Sequence, residues 1–180
     1  MNESNHTPLH HAALNGQLST VELFLANGAL IEALNKDRNT PLHLAVWKHH
    51  TDVVELLLDK GASAQARNQN NNTSLHIAAW SGHTCVVELL LENGALIKAR
   101  NKYDNTPLHL AALKGHTGMV ELLLSKGASI KAIGENRNTP LHSAARSGYT
   151  KTVKLLLKKG ASIRSNWNRN TLLHRMVITV

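Results

Sequence analysis

The stretch Thr106-Pro107-Leu108-His109-Leu110-Ala111-Ala112-Leu113-Lys114-Gly115 decides the fold, because it spells a short helix with both ends marked. Thr106 suits the N-cap, where its hydroxyl accepts from an orphan backbone N–H. Pro107 falls at the first helical position, where a missing donor costs nothing. Leu108, Ala111 and Ala112 share one face at helical spacing, and the two alanines are small enough to let a neighbouring helix approach closely. Gly115 supplies the positive φ that closes a helix. The reading predicts a first helix over 107–114 and a second over 118–126, carrying Val120 and Leu122-Leu123-Leu124 and ended by Gly127. A hairpin-like loop over 128–138 follows, with Asn138 at its turn.

The opening word recurs as Thr7-Pro8-Leu9-His10, Thr40-Pro41-Leu42-His43, Thr73-Ser74-Leu75-His76, Thr139-Pro140-Leu141-His142 and Thr171-Leu172-Leu173-His174, at spacings of 33, 33, 33, 33 and 32 residues. A second marker keeps the same period: Gly28, Gly61, Gly94, Gly127 and Gly160, each followed by Ala. A 33-residue period carrying T-P-L-H-x-A resembles the ankyrin repeat. The resemblance covers essentially the whole chain. It implies an all-α repeat solenoid, an ankyrin stack of helix-turn-helix units with projecting hairpin-like loops. The expected organisation is one ankyrin repeat domain over 1–180, with repeats 7–39, 40–72, 73–105, 106–138 and 139–170 and a partial sixth at 171–180.

Departures from the pattern carry the remaining information. Asn39, Asn72, Asn105, Asn138 and Asn170 precede the Thr, where the family often has Gly; Asn tolerates the left-handed region that such a site would need. His49 stands where Gly16, Gly82, Gly115 and Gly148 stand, and a left-handed His there costs about 1 kcal/mol. Repeat 6 ends after Leu172-Leu173-His174-Arg175-Met176-Val177-Ile178-Thr179-Val180, too apolar for a terminal cap. This is read as a fragment of a longer protein, ahead of an end covered by a partner.

Aromatics make up 3% of the chain, so Ala and Leu must form the core. No apolar run approaches the roughly 20 residues of a membrane span, and Met1-Asn2-Glu3-Ser4-Asn5 is no signal peptide. Cys85 is the only cysteine, which excludes an internal disulfide framework. These features suit a reducing cytosol or nucleus, including a host cytosol for a delivered protein. The net charge of +8 is uneven: residues 1–130 hold ten Lys/Arg against eleven Asp/Glu, and residues 131–180 hold ten Lys/Arg against Glu135 alone. Lys151, Lys154 and Lys158 lie at i, i+3, i+7, one stripe of an outer helix.

Twelve histidines raise the question of chemistry, but six of them are the fourth letter of the repeated word. Thr and His at i, i+3 share a helix face, so each His is expected to bond locally rather than ligate a metal. His50, His83 and His116 follow the interhelical turns, and Cys85 lacks a companion cysteine or conspicuous base. No phosphate loop, paired carboxylates or Ser/His/Asp arrangement stands apart from the repeat. The chain is therefore read as a non-enzyme with no catalytic residues, metal or cofactor.

A helical wheel sends three first-helix positions outward, one, four and five residues after the His. The resemblance implies that these line a concave groove. They include Leu44, Trp47, Ile77, Trp80, Leu110 and Leu113, a row of large apolar residues with two of the three tryptophans. Arg38 and Arg137 fall near the loop tips, with Tyr103 and Trp167 beside tips, and Arg146 and Tyr149 flank the groove. Exposed apolar surface with tryptophan anchors marks an interaction site. The expected function is recognition of another protein or peptide, such as one with an acidic patch, by a monomer without a membrane span. Binding of an oligonucleotide or phosphate ligand through Trp47, Trp80 and basic residues is the alternative, although no nucleic-acid-reading motif supports it. A scaffold segment within a larger protein is a further one.

Overall fold

The structure, a computed structural model, describes residues 5–163. Within them the chain forms ten α-helices and no strand: α1 Pro8–Leu14, α2 Leu18–Ala26, α3 Pro41–Trp47, α4 Thr51–Asp59, α5 Ser74–Ser81, α6 Cys85–Glu92, α7 Pro107–Leu113, α8 Thr117–Ser125, α9 Pro140–Arg146 and α10 Thr150–Lys158. The helix pairs expected from the repeat are therefore present in each of the five full repeats. The partial repeat over 171–180 lies outside the described residues, as does Trp167.

The described residues form two compact units, 5–78 with 83–96, and 79–82 with 97–163. In the first unit, α1 packs on α2 and α3, α3 on α4, α2 on α4, and α4 on α6. In the second, α7 packs on α8 and α9, α9 on α10, and α8 on α10. Each core repeats one theme. The Leu of the word is buried (Leu9, Leu42, Leu75, Leu108, Leu141), and behind it sit small residues such as Ala12-Ala13 and Ala111-Ala112. Second helices contribute Val53, Val54 and Leu57 in the first unit, and Met119, Val120 and Leu123 in the second.

The first helices start as the word dictates. Thr7 Oγ1 accepts from His10 N at 3.4 Å, and His10 Nδ1 accepts from Thr7 N at 3.2 Å. This is a reciprocal cap in which His takes the part usually played by Glu or Gln. Thr40–His43, Thr106–His109 and Thr139–His142 form the same box. Among the described residues one word departs from the pattern. Ser74 occupies the proline position of α5, is wholly buried, and its Oγ has no hydrogen-bond partner among the described residues. A buried hydroxyl left unpaired costs about 1–3 kcal/mol. Ser74→Pro removes it and presets φ where four sister repeats already carry Pro, so the variant is expected to gain about 1 kcal/mol or more. Urea unfolding measures this, and an unchanged or lower midpoint would contradict it.

The loop turn sits one residue earlier than the sequence suggested. Arg38, Asn71, Asp104 and Arg137 hold positive φ, whereas Asn138 is extended at φ −73°, ψ 144°. The residue before Thr instead turns its backbone carbonyl back onto the loop. Asn39 O accepts from Asn35 N at 3.1 Å, and Asn138 O accepts from Gly134 N at 2.8 Å, which closes each loop. The His49 reading agrees with the structure: φ is 64°, beside 67° at Gly16 and 79° at Gly82.

Candidate partner-binding surface

His10, His43 and His109 are structural fasteners. With Nδ1 accepting from the Thr N–H, the proton must sit on Nε2, which donates to the carbonyl of the following loop. The distances are 2.9 Å for His10 to Asn39, 3.2 Å for His43 to Asn72 and 3.1 Å for His109 to Asn138. Burial disfavours the imidazolium, and it pushes the pKa of His43 and of His109 down to about 4. Burial also lowers those of His10 and His142. Both nitrogens of His10, His43 and His109 are thus spent inside the fold. Among the described residues no group of three or more His, Cys, Asp or Glu is gathered as a metal would require, and no helix is long and apolar enough to cross a membrane.

The turn histidines fasten the other end of the first helices. His50 Nε2 donates to Leu14 O at 3.1 Å, His83 Nε2 to Trp47 O at 3.3 Å and His116 Nε2 to Trp80 O at 2.9 Å. The turn glycines make room for these rings. A Cβ on Gly16 would lie 2.4 Å from His50 Nδ1, and one on Gly115 would lie 2.3 Å from the Tyr149 ring that replaces His in the fifth repeat. At His49, which has a Cβ, the solution differs: its ring stacks on His83 at 4.2 Å, nearly parallel at 3°.

His49 Nε2 also lies 2.7 Å from the sulfur of Cys85, which is exposed. The sequence reading found no base beside this thiol, because the pair is separated by 36 residues and meets only across adjacent repeats.

Two of the six apolar positions are withdrawn from solvent. Leu44 and Leu110 are 4% and 6% exposed, whereas Trp47 and Trp80 are 51% and 42% exposed. Ile77 and Leu113 are half-buried. The wheel allots a helix one buried face, but pairing of seven-residue first helices, α1 with α3 and α7 with α9, buries a flank as well. What stays open lies at the helix ends, where the two tryptophans are.

Each tryptophan carries a cation. Lys48 Nζ lies 4.5 Å from the Trp47 ring centroid in the first unit, and Lys114 Nζ lies 3.8 Å from that of Trp80 in the second. An ammonium at this distance is held by the ring quadrupole. In the second unit Tyr103 is exposed with Lys102 Nζ 4.9 Å away, and it lines one open cleft with Arg100, Lys102 and Arg137. Arg146, at the end of α9, and Tyr149, the N-cap of α10, are exposed. Arg38 is exposed at a loop tip of the first unit.

The repeated word gives no hint of the buried loop asparagines, Asn35 and Asn68 in the first unit and Asn101 in the second. Each Oδ1 accepts from two backbone N–H groups of its own loop, and Asn68 Nδ2 donates to Asn39 Oδ1 at 2.9 Å. The signal was present as a third marker at 33-residue spacing. Gly134 takes that place in the next loop, where a Cβ would press on Asn105 Oδ1 and His109. That loop forms a 3₁₀ turn over Glu135–Arg137 instead.

Fold and repeat together define an all-helical repeat protein. The chain belongs to the ankyrin repeat family: the family described as "Ankyrin repeats (3 copies)" matches over residues 1–68, 33–101, 75–167 and 130–177. Ankyrin repeats are generally protein–protein interaction modules. No curated protein matches the chain.

Proposed function

We propose that the chain recognises a partner protein or peptide whose contact segment is both apolar and acidic. Trp47 on the first unit and Trp80 on the second are its anchors. The observation that carries this reading is the exposed tryptophan with an ammonium over its ring, which occurs once in each unit among the described residues. Such a pair offers an apolar face and a positive charge within one side chain's reach, so it favours an apolar residue flanked by a carboxylate.

Peptides selected from a displayed random library against the wild-type chain test this. Enriched sequences should combine Leu, Ile or aromatic residues with Asp or Glu. Trp47→Ala and Trp80→Ala should each cost about 2 kcal/mol of their binding, since tryptophan anchors dominate interfaces, while far-UV circular dichroism stays unchanged. Selected peptides that bind the double variant as tightly as wild type would remove the tryptophan model.

A further inference from the structure

The second helices carry their exposed charge at three fixed positions, i, i+3 and i+7. In α4 these are Asp52, Glu55 and Asp59, and in α10 they are Lys151, Lys154 and Lys158, all six exposed. The two sets are the same repeat positions, offset by 99 residues, or three periods. Between them the stripe fades, from Cys85, Glu88 and Glu92 in α6 to Gly118, Glu121 and Ser125 in α8. The units differ accordingly. Among the described residues the first holds five Lys/Arg against eight Asp/Glu, and the second twelve against three. Within the second unit, α10 packs on α8, whose Glu121 meets Lys159 at 3.4 Å, a residue outside the stripe. A stripe of three lysines on a helix of nine residues is thus matched, in charge and in spacing, by a stripe of three carboxylates elsewhere on the same chain.

We propose that the chain self-associates head to tail, the Lys151/Lys154/Lys158 face of α10 on one copy docking on the Asp52/Glu55/Asp59 face of α4 on a second copy. At about 1.5 Å rise per residue both stripes place their charges roughly 4.5 and 10.5 Å along the helix axis, so parallel helices bring three pairs into register. The two faces are different surfaces, which makes the contact heterologous and leaves a free face on each copy for another. Exposed ion pairs are individually weak, so association is weak and strongly screened by salt. The monomer expected from the sequence is then the dilute or high-salt state.

Sedimentation velocity of the full chain, up to about 1 mM and in about 20 mM against 300 mM salt, reads this out. Wild type should show a weight-average mass that rises with concentration at low salt and returns to monomer at high salt. K151E/K154E/K158E alone and D52K/E55K/D59K alone should remain monomeric, and mixing the two should restore association, since each then supplies the face the other has lost. Should a triple variant misfold, the single changes Lys154→Glu and Glu55→Lys serve, each weakening association about fivefold and recovering it in the mixture. Trp47→Ala and Trp80→Ala leave this association unchanged, which separates it from the partner surface. A wild type that is monomeric at every concentration in low salt would overturn the proposal. So would variants that associate as wild type does, or a mixture that fails to associate.

Discussion

Lowering the pH from 7 to 4 is expected to remove about 3 kcal/mol of stability through His43 and a similar amount through His109. Both pKa values are held down to about 4 by burial, against about 6.5 in the unfolded chain. Between those two values the unfolded state binds a proton that the folded state refuses. Stability therefore rises with pH across the window and falls as the pH drops through it. The contribution is complete above about 6.5 and exhausted below about 4. Protonating Nδ1 also removes the acceptor for Thr40 N or Thr106 N, so the helix cap is lost with the proton. Unfolding in urea at pH 7, 5.5 and 4.5 measures the slope. His43→Gln and His109→Gln should each flatten it, because the titrating group is gone, while lowering stability at pH 7. A stability that is level between pH 6.5 and 4.5 in wild type, or a slope unaffected by both substitutions, would refute the account. His43 lies in the first unit and His109 in the second, so each variant should report on its own unit if the two unfold separately.

Gly115→Ala is expected to cost about 3 kcal/mol, and Gly127→Ala only about 1 kcal/mol, although both sites close helices of the same unit. The backbone is left-handed at each, φ 72° and 91°, and a Cβ in that region costs roughly 1–2 kcal/mol. The sites differ in what the Cβ meets. At Gly127 nothing among the described residues lies within 4 Å, whereas at Gly115 the Tyr149 ring lies at 2.3 Å. Overpacking of that kind adds about 1–3 kcal/mol. Combining Gly115→Ala with Tyr149→Ala should cost less than the sum of the two single changes, because the overlap exists only when both side chains are present. Equal losses for Gly115→Ala and Gly127→Ala would show that the ring yields freely.

The sequence made the helix pairs legible because every cue for them is local. Thr106, Pro107 and Gly115 state a beginning and an end within ten residues, and five full copies place the pattern beyond chance. His49 was readable for the same reason: one missing glycine in a column of glycines names a strained φ. Contacts between repeats were hidden. The burial of Leu44 and Leu110 depends on flanks that a single-helix wheel does not contain. The His49–Cys85 pair and the carbonyls taken by His83 and His116 depend on residues 36 positions apart. The misplaced loop turn shows a subtler limit. Asparagine suits a left-handed turn, and it equally suits an extended position whose side-chain oxygen accepts from the neighbouring loop, as Asn39 Oδ1 and Asn105 Oδ1 do; composition alone does not choose between them.

The fasteners of the described repeats have a consequence for how the chain folds. Each tie from a word histidine spans 29 residues, and each tie from a turn histidine spans 36. None of these ties joins distant parts of the sequence. Loop-closure entropy grows only with the logarithm of loop length, so every added repeat meets the same entropic toll as the one before. Assembly can then begin at any adjacent pair of repeats and spread outward one neighbour at a time. Mean sequence separation stays low however many repeats follow, which places the chain among topologies whose folding speed is set by short-range search.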